Sequence, residues 1–222
     1  MFSSFFDKMT FTPSTPYTHK KKSVDSDPFK IVIVLDESGS MGSEKEKMIK
    51  SINDFINEQR QVEGRDATFT LVKFNQKISR VIQNEPIDRV HLLRPCDYTP
   101  SGSTALYDAI GDTMTWLGDE KDVLMVVVTD GQENASQTFK RHQVMNMIEN
   151  MKNTKNWSYV YLSCDITTEK QGYGLGLNKS DYSSNVVIKQ NMMSNYLSDN
   201  LNSACTQYRK TGESVQMQLN RA

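Results

Sequence analysis

Two apolar runs dominate the sequence. Ile31-Val32-Ile33-Val34-Leu35 runs straight into Asp36, and Val123-Leu124-Met125-Val126-Val127-Val128 runs into Thr129-Asp130. A continuous stretch of aliphatic, mostly β-branched residues leaves no face for water. Each run therefore has to be a strand buried on both sides, as in a parallel sheet covered by helices.

The remaining segments supply those helices and further strands. Met48, Ile52, Phe55 and Ile56 lie at helical spacing, which predicts a helix from about Glu44 to Arg60, with Ser43-Glu44-Lys45-Glu46 read as its capping box. Thr68–Phe74 alternates in polarity and is separated from Lys77–Ile82 only by Asn75 and Gln76, the pattern of a tight antiparallel hairpin. A long loop, Gln83–Ser103, holds Pro86, Pro95 and Pro100, and Leu106, Ile110, Met114 and Leu117 then mark a helix stopped at Gly118. Val144, Met147, Ile148 and Met151 predict another helix, Tyr159–Leu162 and Val186–Ile188 two more strands, and Leu197, Leu201, Cys205 and Tyr208 a C-terminal helix. Met145, Met147 and Met151 read as helix core and flank rather than a cofactor box. Strand alternating with helix predicts the α/β class: a three-layer α/β/α Rossmann-like sandwich whose mostly parallel central sheet carries one antiparallel hairpin strand at its edge.

The 222 residues, 37% apolar with 11 glycines, suffice for one domain of ordinary size. Residues 28–222 are expected to form it. Residues 1–27, rich in Ser, Thr and Pro and carrying Lys20-Lys21-Lys22, read as a flexible tail. The 26 Lys and Arg against 27 Asp and Glu give a net charge of −1, which argues against nucleic-acid binding through bulk positive charge. No stretch approaches the ~18 apolar residues that span a membrane. Asp7 and Lys8 fall where a signal peptide would place its apolar stretch. Cys96, Cys164 and Cys205 are widely spaced and odd in number, so they read as reduced thiols, two of them buried, of an intracellular and cytoplasmic protein.

In parallel α/β sheets, ligands sit beyond the carboxyl ends of the strands. Three segments fall there: Asp36-Glu37-Ser38-Gly39-Ser40 after the first strand, Ser101-Gly102-Ser103-Thr104 at a helix start, and Thr129-Asp130-Gly131 after the second apolar run. Asp36, Ser38, Ser40, Thr104 and Asp130 offer two carboxylates and three hydroxyls, with no His or Cys. An oxygen-only set favours a hard divalent cation, Mg²⁺ above all, with Mn²⁺ or Ca²⁺ as alternatives. Neutral hydroxyls do not cancel the charge of an ion. If they bind it directly while the aspartates act from behind, the ion keeps an open, electrophilic position for an acidic group from another molecule.

These three segments resemble the von Willebrand factor type A domain and its metal-ion-dependent adhesion site: D-x-S-x-S at Asp36, Ser38 and Ser40, the Thr of Gly102-Ser103-Thr104-Ala105-Leu106, and Val128-Thr129-Asp130-Gly131. The resemblance covers roughly Phe29 to Arg209 and is nearest to short stand-alone intracellular members. Leu162-Ser163-Cys164-Asp165 and Gly172-Tyr173-Gly174-Leu175-Gly176 look like the segment such members carry after the fifth strand. The resemblance implies that Ser38 and Ser40 coordinate the ion directly, that Thr104 does so directly or through water, and that Asp36 and Asp130 act largely through water. It further implies a non-enzymatic protein-binding module that takes a partner's Asp or Glu, working as an adaptor in a multiprotein assembly, sometimes beside an AAA+ ATPase.

Two other classes compete. An aspartate after a first α/β strand can be the nucleophile of a Mg²⁺-dependent phosphoryl-transfer enzyme, but such enzymes want a second Asp two residues on, and Ser38 stands there. An RNA-binding protein of the same fold would need a basic stripe that the sequence lacks. Around the expected site, Glu37 reads as a solvated rim charge. Glu133 and Asn134 are either rim residues or a polar turn; Asp97 and Tyr98 are placed to touch a partner, with Tyr98 equally readable as a packing anchor for the long loop. Gly172, Gly174 and Gly176 read as a flexible turn, since they do not lie between a first strand and its helix. His19, His91 and His142 read as surface or packing residues.

Overall fold

Both apolar runs are strands in the computed structural model, which describes residues 27–164, 166–177, 183–187, 192–213, 215 and 219. β1 (Phe29–Asp36) is buried at every position, as is β4 (Val123–Val128). β2 (Ala67–Phe74), β3 (Ile78–Pro86), β5 (Ser158–Ser163) and β6 (Ser183–Val187) complete a six-stranded sheet in the order β3-β2-β1-β4-β5-β6. Every neighbouring pair is parallel except β2 with β3, the antiparallel hairpin at the edge.

Alternate residues of each central strand feed opposite layers. Ile31, Ile33 and Leu35 pack with α1 (Lys45–Arg60) and with the C-terminal helices, α5 (Met193–Asn195) and α6 (Asn202–Thr211), which a π turn (Tyr196–Leu201) joins. Val32 and Val34 pack with α2 (Leu106–Leu117) and α3 (Arg141–Lys155) on the other face. The chain leaves β1 for β2 on one side and later returns to place β4 on the other. Strand order therefore reverses at β1/β4, which opens a crevice at their carboxyl ends.

Several expectations need correction. Ser43 does not cap α1: residues Gly39–Glu44 form a 3₁₀ turn that buries Met41, the helix starts at Lys45, and its N-cap Glu44 makes no capping bond. β3 runs on to Pro86 because a bulge at Asn84, with φ 48°, lets its N–H donate to Thr70 Oγ1 and keeps the strand paired. Gly172 and Gly174 are not a flexible turn but the end of α4 (Ile166–Gly174). A Cβ on Gly172 would lie 2.7 Å from both Tyr161 and Asn185, so the missing side chain lets α4 pack onto β5 and β6. Of the cysteines only Cys205 is fully buried; Cys164 is half-buried and Cys96 exposed. The 1–26 portion of the expected tail, Asp165 and Ile188 lie outside the described residues.

The amino edge of the sheet is clasped by polar contacts. Arg65 pairs with Asp122 at 2.8 Å, Lys30 pairs with Glu120 at 3.0 Å, and buried Arg209 donates to the Arg65 carbonyl at 2.8 Å. Among the described residues, no helix is long and apolar enough to cross a membrane.

Candidate metal centre

Asp36, the last residue of β1, is fully buried at the floor of the crevice. Both of its carboxylate oxygens are held: Oδ1 accepts the Ser38 N–H at 2.7 Å, and Oδ2 accepts the Thr129 hydroxyl at 2.7 Å. Its carbonyl accepts the Tyr98 hydroxyl at 2.6 Å. Burial pushes the Asp36 carboxyl above the usual aspartate range, the Thr129 and Ser38 hydrogen bonds oppose this, and the charge of Asp130 adds to it. Burial, followed by the nearby Asp36, Asp130 and Glu37 carboxylates, likewise pushes the Tyr98 phenol up, so Tyr98 stays a hydrogen-bond donor.

Above this floor the hydroxyls converge. Ser38 Oγ lies 3.1 Å from Ser40 Oγ, and Ser40 Oγ donates to Asp130 Oδ1 at 2.6 Å. A single point beside the Gly131 backbone locates the others. A Cβ built there would stand 2.9 Å from Thr104 Oγ1, 3.5 Å from Asp36 Oδ2 and 3.7 Å from Ser38 Oγ. All five residues singled out in the sequence therefore meet, and Gly131 leaves room where a side chain would crowd them. Exposure rises from buried Asp36, Ser38 and Thr104 through half-buried Asp130 to exposed Ser40, so the cluster opens to solvent on one side.

The Thr104 segment is tied down from three directions. The Ser101 N–H donates to the Glu37 carbonyl at 2.7 Å and the Gly39 N–H to the Gly102 carbonyl at 3.2 Å. From the hairpin turn, Gln76 Oε1 accepts the Ser103 N–H at 3.0 Å, and Gly102, with φ +78°, has no space for a Cβ against that glutamine. From the loop after β4, Asn134 Oδ1 accepts the Thr104 N–H at 2.9 Å, and the Asn134 N–H returns a bond to the Thr104 carbonyl at 3.0 Å.

The donor set suits a hard cation. Every gathered side-chain atom is oxygen, the two carboxylates sit close together in partly desolvated surroundings, and three of the oxygens line a cradle at Gly131 that a Cβ would fill, crowding the Thr104 hydroxyl at 2.9 Å. Among the described residues no three of His, Cys, Asp and Glu come together, so a cation at this edge has to rest on hydroxyls as well as carboxylates.

Glu37 is not the solvated rim charge expected of it. It is buried, pairs with Lys73 at 2.7 Å and accepts the Thr99 N–H at 2.6 Å, bracing the loop before Thr104. Tyr98 is the loop anchor, whereas Asp97 pairs with exposed Arg94 at 2.9 Å. Glu133 and Asn134 bond to the Thr104 segment and to the start of α2. Sequence reasoning missed Thr129 and Lys73. A hydroxyl directly before Asp130, and a lone lysine in an otherwise apolar or alternating strand, were the available signals.

Residues 31–133 match the family model for the von Willebrand factor type A domain. Solved structures share the fold at low identity. The PilB minor pilin from Streptococcus sanguinis is 12% identical with a TM-score of 0.64, over 85% of this chain and 64% of that one. Proximal thread matrix protein 1 from the mussel byssus, with a zinc-occupied MIDAS motif, is 16% identical with a TM-score of 0.56, over 80% of this chain and 46% of that one. Manganese-loaded TRAP protein of Plasmodium vivax is 17% identical with a TM-score of 0.51, over 76% of this chain and 71% of that one. The chain spans less than two thirds of the length of the pilin and the byssus protein. A comparison with curated proteins returned no match.

Proposed function

We propose that this chain, whose residues 31–133 match the family model for the von Willebrand factor type A domain, is a non-enzymatic, divalent-cation-dependent protein-binding module. The observation that carries the reading is the meeting of Asp36, Ser38, Ser40, Thr104 and Asp130 at the β1/β4 reversal, open on one side. In this reading Ser38, Ser40 and Thr104 supply neutral oxygen ligands, and Asp36 and Asp130 supply the negative charge behind them. Bound there, a divalent ion would supply an electrophilic position that accepts a carboxylate from an Asp or Glu of the partner. Mg²⁺ is the proposed ion on grounds of hardness; the zinc and manganese named for two similar structures support a divalent cation without choosing among them.

The chain's own residues prepare that position. Ser38 N–H and Thr129 fix the Asp36 carboxylate, so it does not have to reorient on binding. Gly131 keeps the space clear. The bracing of Ser101–Thr104 by Glu37, Gln76 and Asn134 holds the Thr104 hydroxyl in register with the serines. The same geometry counts against Asp36 as a phosphoryl-accepting nucleophile, since it is fully buried and both its oxygens accept hydrogen bonds. We also propose that the partner belongs to a multiprotein assembly inside the cell.

The test is a crystal structure grown in MnCl₂ with data collected at the manganese edge. An anomalous peak among Ser38, Ser40 and Thr104, with a neighbouring molecule's carboxylate or a water on its open side, is expected. A cluster without a peak, its oxygens bonded only to one another, would overturn the reading.

A further inference from the structure

Helix α2 begins immediately after Thr104 and has no cap of its own: its N-cap is Ala105, which makes no side-chain capping bond. The first amides of any helix need acceptors from elsewhere. Here they come from the loop after β4. Glu133 Oε2 accepts the Tyr107 N–H at 3.0 Å, and Ser136 Oγ accepts the Asp108 N–H at 3.0 Å. Asp108 answers from the first turn of α2, accepting the N–H groups of Gln137, Thr138 and Phe139 at 2.8, 2.9 and 2.7 Å.

Glu133 sits at the centre of this exchange. Its Oε1 accepts the N–H groups of Ala135 at 3.0 Å and Ser136 at 2.7 Å, and its Oε2 also accepts the Ser136 hydroxyl at 2.7 Å. Its own N–H donates to Gln171 Oε1 at 2.5 Å, and Gln171 Nε2 donates back to the Gly131 carbonyl at 3.3 Å. A carboxylate at a helix N-terminus is stabilised by the helix dipole, so the charge belongs there on electrostatic grounds as well.

We infer that Glu133 is a positioning residue for the cation centre: by capping α2 from the neighbouring loop, it locks the Thr104 side of the cluster to the Asp130 side. This rests on the reading of a cation site given above. The Glu133 carboxylate accepts hydrogen bonds from Tyr107, Ala135 and Ser136, which lie outside the five clustered residues. It acts through α2, whose N-cap Ala105 directly follows Thr104, and through the loop that begins at Asp130. Oε2 is committed to the cap of α2 and Oε1 to the turn of its own loop, so the task of Glu133 is internal and not contact with a partner. Gln171 extends the lock to α4, tying the loop at Gly131 and Glu133 together.

The experiment is isothermal calorimetry with Mn²⁺ on the wild type, Ser38→Ala, Glu133→Ala, Ser136→Ala and Asn202→Ala, with urea unfolding of each in EDTA. Asn202 lies on α6, bonded to Gln59 away from the cluster, and serves as a variant that loses stability alone. Glu133→Ala is expected to weaken Mn²⁺ binding about tenfold or more, as lost support behind metal ligands does. Ser136→Ala should weaken it less, and Asn202→Ala should lower stability with unchanged affinity. If Glu133→Ala does not fold, Ser136→Ala carries the test, and wild-type affinity in it overturns the inference. A folded Glu133→Ala that binds Mn²⁺ as the wild type does, while Ser38→Ala does not, overturns the inference and leaves the cation site standing. A wild type that takes up no Mn²⁺ overturns both.

Discussion

Thr129 Oγ1 donates to Asp36 Oδ2 at 2.7 Å, joining the carboxyl ends of β4 and β1 at the point where the sheet reverses its strand order. Thr129 is fully buried and also accepts the Gly131 N–H at 3.2 Å. One hydroxyl thus orients the carboxylate at the floor of the site and the glycine at its wall. Thr129→Val keeps the shape and removes the hydroxyl, leaving a buried carboxylate oxygen short of a donor. The expected cost is about 1–3 kcal/mol in urea unfolding without cation, together with weaker Mg²⁺ binding by calorimetry. Unchanged stability and affinity would remove Thr129 from the account.

Glu37, directly after β1, and Lys73, on the adjacent parallel strand β2, form a nearly buried ion pair. Lys73→Met strands the Glu37 charge and is expected to destabilise the protein by roughly 3 kcal/mol. Adding Glu37→Gln should recover part of that loss. A double-mutant cycle in urea measures the coupling, and strict additivity would show that the pair contributes nothing beyond its separate members.

At the opposite edge, burial alone would raise the Asp122 carboxyl, but hydrogen bonds from Arg65 and Asn156, with the charges of Arg65 and Lys30, hold it below its ordinary value. The folded protein therefore binds fewer protons there than the unfolded chain does. The resulting stability is complete above the ordinary aspartate value and is lost as pH falls through the depressed folded value. Asp122→Asn should flatten the part of the acid-unfolding profile between those two values. An identical profile in the variant would contradict the assignment.

The thiols should separate by exposure. Burial pushes the Cys205 thiol up to about 12, so it should stay inert to a disulfide reagent at pH 8 until the protein unfolds. Exposed Cys96 should react first and half-buried Cys164, whose thiol lies 3.4 Å from the Asp130 carbonyl, more slowly. Reaction of all three at one rate in the folded protein would contradict the packing of α6.

How much of this was legible in the sequence follows from distance along the chain. β1 and β4 are local signals, continuous apolar runs that have only one way to be buried, and the hairpin is likewise written in adjacent residues, although its turn takes three, Asn75, Gln76 and Lys77, rather than the two expected. The five clustered residues could be picked out because each ends or follows such a strand or precedes a helix. Glu37 was misread because its partner Lys73 lies 36 positions away on the next strand, and a polar residue in a loop looks solvated until that neighbour is known. Gly172 was misread for the same reason: what forbids a side chain there is the approach of Tyr161 and Asn185, which no local pattern records. Ser43 failed as a cap because the buried Met41 draws residues 39–44 into a 3₁₀ turn.

The proposed function requires that five oxygen-bearing side chains, Asp36, Ser38, Ser40, Thr104 and Asp130, hold one divalent cation. Calorimetric titration of Mg²⁺ into the wild type and into Ser38→Ala/Ser40→Ala tests it most directly. A saturable single-site heat in the wild type that disappears in the double variant, with folding retained by circular dichroism, is expected. Indistinguishable heats from the two proteins would contradict it.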